Sequence, residues 1–244
     1  MTTTNFSKFL IAAFAASSLF LTSCGADPEP IVPAVKNYAK VMLFHAATDA
    51  TAVNLQIDGV TKGDSIKYSF ATAYTQAEIT GNKIVVSSLS AKTGAKIATD
   101  SSLMNKDIGY SYFVCQENNA TKTPIMIKKV DDLSLPTAGN GRVRLAHLIS
   151  DIPQNIDLEF AKVGGVASQN STFKDVKFKD ILDFVNLPIG TYEIKFKLTG
   201  TTTLPITIPG TFTVADGKLY TLVARGYANV TAPRGGMMTV LNNN

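Results

Sequence analysis

Across 244 residues there are only two histidines and two cysteines. That scarcity excludes a disulfide-stapled scaffold and a cysteine-rich zinc module, which needs three or four N, S or O ligands converging on one ion. Charge is sparse as well, at 17% of residues with a formal net charge of +4. Lysines and arginines are scattered among acids, as where Lys128-Lys129 stands beside Asp131-Asp132, and no basic block tracks a phosphate backbone. Nucleic acid is therefore set aside as a partner. No long stretch carries the 3.6-residue apolar period of an amphipathic helix, which argues against an α/β enzyme scaffold.

What is present is a phrase written twice. Ala39-Lys40-Val41-Met42-Leu43-Phe44-His45-Ala46-Ala47-Thr48-Asp49 returns as Gly141-Arg142-Val143-Arg144-Leu145-Ala146-His147-Leu148-Ile149-Ser150-Asp151, with basic residue, Val, Leu, His and Asp at the same offsets. The alternation of Val, Leu and His reads as a strand, and the Asp four residues after the His reads as the turn that ends it. Both histidines of the chain are used in these two phrases.

Ahead of the repeat, Lys8 precedes an apolar run from Phe9 to Phe20, followed by Leu21-Thr22-Ser23-Cys24-Gly25. The run is too short to span a bilayer and has the order of a secretory signal peptide, residues 1–23. Leu, two small residues and Cys resemble a bacterial lipobox, so Cys24 is expected to be acylated, by palmitate-type chains, and to become the mature N-terminus. Multiple acyl chains at about 0.8 kcal/mol per buried methylene would hold the protein on a membrane. Gly at position 25, where inner-membrane retention uses Asp, favours the outer membrane, facing either the periplasm or the cell surface. Residues 24–37, with Pro28, Pro30 and Pro33 among polar neighbours, read as a disordered tether.

The body reads as strands throughout. Val53-x-Leu55-x-Ile57 stops at Asp58-Gly59, and Ile84 to Leu89 stops near Lys92-Thr93-Gly94. In the second copy Ile156-x-Leu158-x-Phe160 and Tyr192-x-Ile194-x-Phe196-x-Leu198 repeat the pattern, while Lys177 to Phe184 is ambiguous between a short helix and a loop. The expected fold is all-β, two tandem antiparallel immunoglobulin-like sandwiches covering residues 38–136 and 137–244, with a shared interface because the linker is short.

The second copy, with Arg142-Val143, His147, Asp151, Ile156-Asp157, Leu187-Pro188-Ile189-Gly190-Thr191-Tyr192 and Tyr220-Thr221-Leu222-Val223-Ala224-Arg225-Gly226, resembles the bacterial family catalogued as domain of unknown function 4397. The first copy resembles it more loosely, through Lys40-Val41, His45, Asp49, Val53-Asn54 and Tyr110-Ser111-Tyr112-Phe113-Val114. It has Ile79-Thr80-Gly81-Asn82-Lys83 in place of the Pro-x-Gly-Thr-Tyr element. The family is common in secreted and lipid-anchored proteins, and the resemblance implies the sandwich fold but no activity.

Candidate site residues are few. His45 with Asp49, and His147 with Asp151, each offer half a metal site, and the plainer expectation is that each ring caps a strand end by giving its N–H to a turn carbonyl or to the nearby Asp. Cys115 lies in an apolar strand without a His-plus-acid pattern beside it, so it reads as a buried thiol. Asp131-Asp132 reads as linker and Asp157-x-Glu159 as a solvated strand face. Asp64-Ser65-Ile66 matches the three-residue acceptor of general O-glycosylation in some Gram-negative periplasms, a match that arises easily by chance. The sequence thus points to a non-enzymatic envelope lipoprotein without a cofactor, acting as spacer or binding module for a glycan or protein. The alternative is a metal-binding or hydrolytic site at the domain interface, built from the two repeat histidines and their aspartates.

Overall fold

The computed structural model describes residues 35–118, 120–152, 154–166, 171–202, 210–228 and 235–243. The expected signal peptide, Cys24 and nearly all of the expected tether lie outside these. Among the described residues there are sixteen strands and no helix. The first eight are β1 (Asn37–His45), β2 (Val53–Ile57), β3 (Val60–Ile66), β4 (Thr75–Ile79), β5 (Ile84–Ser90), β6 (Lys96–Ser102), β7 (Gly109–Gln116) and β8 (Pro124–Asp131). The second eight are β9 (Asn140–Ile149), β10 (Ile156–Lys162), β11 (Ser171–Val176), β12 (Val185–Pro188), β13 (Gly190–Leu198), β14 (Thr211–Val214), β15 (Leu219–Gly226) and β16 (Met237–Asn242).

Local chemistry explains much of this. In β2, Val53, Leu55 and Ile57 are buried while Asn54 and Gln56 are half-buried, the period-2 pattern of a strand with one face on a core. The chain reverses at once because Asp58 and Gly59 both take positive φ, 48° and 79°, as a two-residue hairpin with the twist of its strands requires. The ambiguous stretch Lys177–Phe184 is not a helix. Lys179 has φ of 75° and Ile181 forms a bridge to Ala146, so the segment is a turn that returns to β9.

The strands assemble into four sheets of four, ordered β4-β1-β7-β8, β3-β2-β5-β6, β12-β9-β15-β16 and β11-β10-β13-β14. Each copy thus folds as the same two-sheet sandwich. The pairing is antiparallel except where β1 meets β7 and β9 meets β15, which run parallel. Each of these sheets is therefore mixed rather than purely antiparallel, because β1 and β7, and likewise β9 and β15, sit side by side at the centre of a sheet although five strands lie between them along the chain.

Among the described residues there are three apolar cores. One lies inside the first sandwich, around Val41, Leu43, Leu55, Val86 and Tyr112, and another inside the second, around Leu145, Leu158, Phe160, Phe196 and Leu222. The third, formed by Phe44, Ala46, Phe113, Cys115, Ala146, Leu148, Ile181 and Val223, joins the opposite faces of the β1-containing and β9-containing sheets. β7 is consequently buried at all eight positions, as expected only for strands covered on both faces. Residues Lys36–Asn244 form one compact unit.

Candidate functional site

The repeated histidines end β1 and sit near the end of β9, and both rings point into their own sandwich. His45 donates its Nε2–H to the Thr51 carbonyl at 3.0 Å, and its Nδ1 accepts from the Ala47 N–H at 3.3 Å. The ring meets Tyr68 edge-on, with centroids 6.1 Å apart. Burial lowers its pKa, opposed by the Thr51 hydrogen bond, so the neutral ring is favoured. His147 is arranged alike, with Nδ1 3.5 Å from the Ile149 N–H and the ring edge-on to Phe178 and Phe196. Its Nε2 is buried without a partner among the described residues, and burial pushes the ring down to about 4. Pro153, at the position that corresponds to Thr51, lies outside the described residues.

The aspartates go elsewhere. Asp49 accepts from the Tyr227 hydroxyl at 2.7 Å and lies 3.5 Å from Lys122 Nζ, so it ties the first sandwich to the end of β15 in the second. Asp151 accepts from the Ala228 N–H at 2.7 Å. The structure thus puts His45 on a turn carbonyl rather than on Asp49. It does not gather His45, Asp49, His147 and Asp151 into one set, and among the described residues no three His, Cys, Asp or Glu side chains form a metal-holding group.

What the sandwiches do bring together is a polar network beside the third core. Arg144 of β9 and Asp131 of β8 form an ion pair with both side chains fully buried. The Arg144 Nε donates to Thr221 Oγ1 at 2.8 Å and one terminal nitrogen to Ser111 Oγ at 2.9 Å, while its guanidinium lies 4.3 Å from the centre of the Phe184 ring. Asp131 also accepts from Ser111 and from the Tyr74 hydroxyl, each at 2.7 Å. Thr221 donates to Asn243 Oδ1 at 2.7 Å, and Asn243 donates to Tyr74 at 3.3 Å. By strand register Ser111 corresponds to Thr221 and Asp131 to Asn243. Equivalent residues of the two copies therefore meet around one arginine, whose place in the first copy is held by Met42. Asp131 is not linker, as its sequence setting suggests. It closes β8, and the arginine that holds it is contributed by the other copy.

Further along the same interface Arg225 of β15 donates to Thr239 Oγ1 at 2.6 Å and stacks 4.7 Å from the Tyr68 ring centre. Cys115 lies at the matching position of β7, and burial pushes its thiol up to about 12, with Lys179 opposing. A thiol so protonated is not a nucleophile. Asp157 and Glu159 are likewise structural rather than merely solvated. Asp157 accepts from the Asp175 N–H and the Thr199 hydroxyl, and Glu159 pairs with Lys197 at 2.9 Å. At one edge of the junction an open groove of about 800 Å³ runs between Lys40, Lys128, Lys129, Asp132 and Asp183. Lys129 is paired with Asp183 at 2.7 Å and Arg142 with Asp132 at 2.8 Å, so both of these acids are paired within the fold.

A family profile matches residues 39–159 and 161–242, which is most of the chain and includes both repeats. The protein belongs to the family described as Domain of unknown function (DUF4397). The first matched segment runs past β8 through β9 into β10, whereas the sheets divide between β8 and β9, so a single family segment here spans the junction and both members of the Arg144–Asp131 pair. A search of curated proteins finds no match. Sequence reading missed the network because it takes a lone arginine in a strand as solvated. The usable signal was that Arg144 alternates with Val143 and Leu145 inside a strand whose other face carries Ala146 and Leu148, leaving no side open to water.

Proposed function

We propose that this protein is a non-enzymatic, lipid-anchored module of the cell envelope, held in the outer membrane through Cys24, whose paired sandwiches act as a rigid spacer or binding platform for a glycan or protein. One observation carries this reading: the groups that could do chemistry are spent on the fold. Both nitrogens of His45 face backbone partners, His147 and Cys115 are buried in their uncharged forms, and Asp131 is committed to Arg144. A shared apolar core between the sandwiches suits an element that must keep its reach and shape, since interdomain motion is the default only where such an interface is small or polar. The lipobox and the proline-spaced tether support the anchored placement.

The test is fractionation of cells making the full chain, with a fatty-acid analogue and with protease applied to intact cells. The wild-type protein should label and sediment with the outer membrane, and Cys24→Ala should lose the label and leave that fraction. A Cys24→Ala protein that stays in the membrane at unchanged mass contradicts the reading. Glycan-array and envelope pull-down experiments with residues 36–244 then separate a binding platform from a spacer.

A further inference from the structure

The motif Asp64-Ser65-Ile66 takes no part in the junction between the sandwiches or in its polar network. It sits at an irregularity of the edge strand β3, where Val53 pairs with Ile66 and Leu55 with Gly63, so that Asp64 and Ser65 together oppose Asn54. This is a β-bulge. Ser65 takes φ of 48°, and its N–H is satisfied by Asn54 Oδ1 at 2.8 Å. Asp64 and Ser65 are exposed, whereas Ile66 is 7% exposed and pins the strand to the core. Among the described residues the Ser65 hydroxyl has no hydrogen-bond partner.

The second sandwich supplies a comparison within the molecule. β11 carries the same bulge, with Asp175 at φ of 56° and its N–H bound to Asp157 Oδ1 at 2.8 Å. There the bulge residue's own side chain is consumed, accepting from Asn155 at 2.7 Å. The bulge therefore belongs to the fold, but an unengaged hydroxyl displayed on it, after an exposed acid and before a buried apolar residue, belongs to the first copy alone. Ser65 also borders an open groove of about 680 Å³ that includes Lys62, Asp64, Phe70, Thr72 and Tyr74. Phe70 is 62% exposed, an aromatic ring that the described residues leave largely in water. A sugar presents apolar C–H faces as well as hydroxyls, and covering the ring with them removes apolar surface from water.

We propose that Ser65 is an O-glycosylation site, with the attached glycan lying along this groove against Phe70. The proposal rests on the envelope reading, because the acceptor must meet its transferase after export. Ser65 Oγ attacks the anomeric carbon of a polyprenyl-diphosphate-linked glycan. The Oγ–C1 bond forms, the C1–O bond to the diphosphate breaks, the lipid diphosphate leaves with the electron pair, and the hydroxyl proton passes to a base on the transferase. Asp64, exposed beside the acceptor, is the charge by which the transferase selects this serine.

The test uses the full chain purified from the bacterium that makes it, with mass spectrometry of the acylated N-terminus and of the peptide Gly63–Lys67. The variants are Ser65→Asn, which removes the hydroxyl while tolerating a positive φ, and Asp64→Asn. The expected result is an acylated Cys24 together with a glycan mass on the peptide, lost in Ser65→Asn and reduced in Asp64→Asn. An acylated chain with bare Ser65 overturns the glycosylation and leaves the envelope reading standing. A glycan mass that persists in Ser65→Asn also overturns it. A chain with neither signal cleavage nor acylation overturns both.

Discussion

Arg144 shows how much one residue decides here. Removing it leaves the Asp131 carboxylate buried without its partner, and breaking a buried pair in this way costs about 3–5 kcal/mol, whereas replacing both members by apolar residues of similar volume is often neutral. Arg144→Ala should therefore lower the urea midpoint sharply, and Arg144→Met combined with Asp131→Leu should recover most of the loss, Met being what the first copy carries at that position. Chemical denaturation of the three proteins checks this, and a double variant as unstable as the single one would mean that the network acts through its hydrogen bonds rather than through the uncompensated charge. The histidines make a second residue-scale prediction. A ring whose folded pKa lies near 4, below its unfolded value of about 6.5, binds its proton more readily in the unfolded chain. Its contribution is complete above about pH 6.5 and is lost as the pH falls toward 4, by about 3 kcal/mol in total, and His45 adds a term of the same sign. Stability should thus fall between about pH 7 and about pH 4.5, and the fall should be shallower in His147→Gln. Parallel pH profiles for the two proteins would show that His147 titrates normally.

Among the elements, two glycines separate conformational strain from packing. Gly59 has φ of 79° and open space where a Cβ would go, so Gly59→Ala should cost only the left-handed backbone, about 1–2 kcal/mol. At Gly141 in β9 an added Cβ would stand 2.6 Å from Val214 Cγ1 and 3.0 Å from two backbone oxygens, of Ala215 and Lys218. Because backbone cannot step aside, Gly141→Ala should force β9 from its neighbours and cost about 1–3 kcal/mol by overpacking. Thermal melts rank the two, and amide exchange in β9 and β14 should rise in the Gly141 variant alone. The contrast also marks what the sequence could convey. Strands and turns were legible from Val53-x-Leu55-x-Ile57 and Asp58-Gly59, because alternation and turn chemistry act between near neighbours. The parallel pairing of β1 with β7 was not, since it joins segments that are far apart in the chain and depends on which strand ends up central. The loop form of Lys177–Phe184 was equally hidden, because the contact that fixes it is the bridge from Ile181 to Ala146.

At the scale of the molecule, the third core makes the two sandwiches one body. The repeat announced two similar copies, and the short linker implied contact between them, but nothing local says that Phe44, Phe113, Leu148 and Val223 lie against a second copy rather than in water. Each buried side chain of that size contributes about 1.5–3 kcal/mol, so separating the sandwiches would expose several such terms along with a buried ion pair. Residues 36–136 and 138–244 made separately should therefore be poorly soluble or much less stable than the whole, where composition and size alone suggest two independent domains. The most direct test is calorimetry of residues 36–244, wild type and Arg144→Ala. The account predicts one transition, with calorimetric and van't Hoff enthalpies in agreement, that shifts as a whole in the variant. Two transitions, of which Arg144→Ala moves only one, would contradict it.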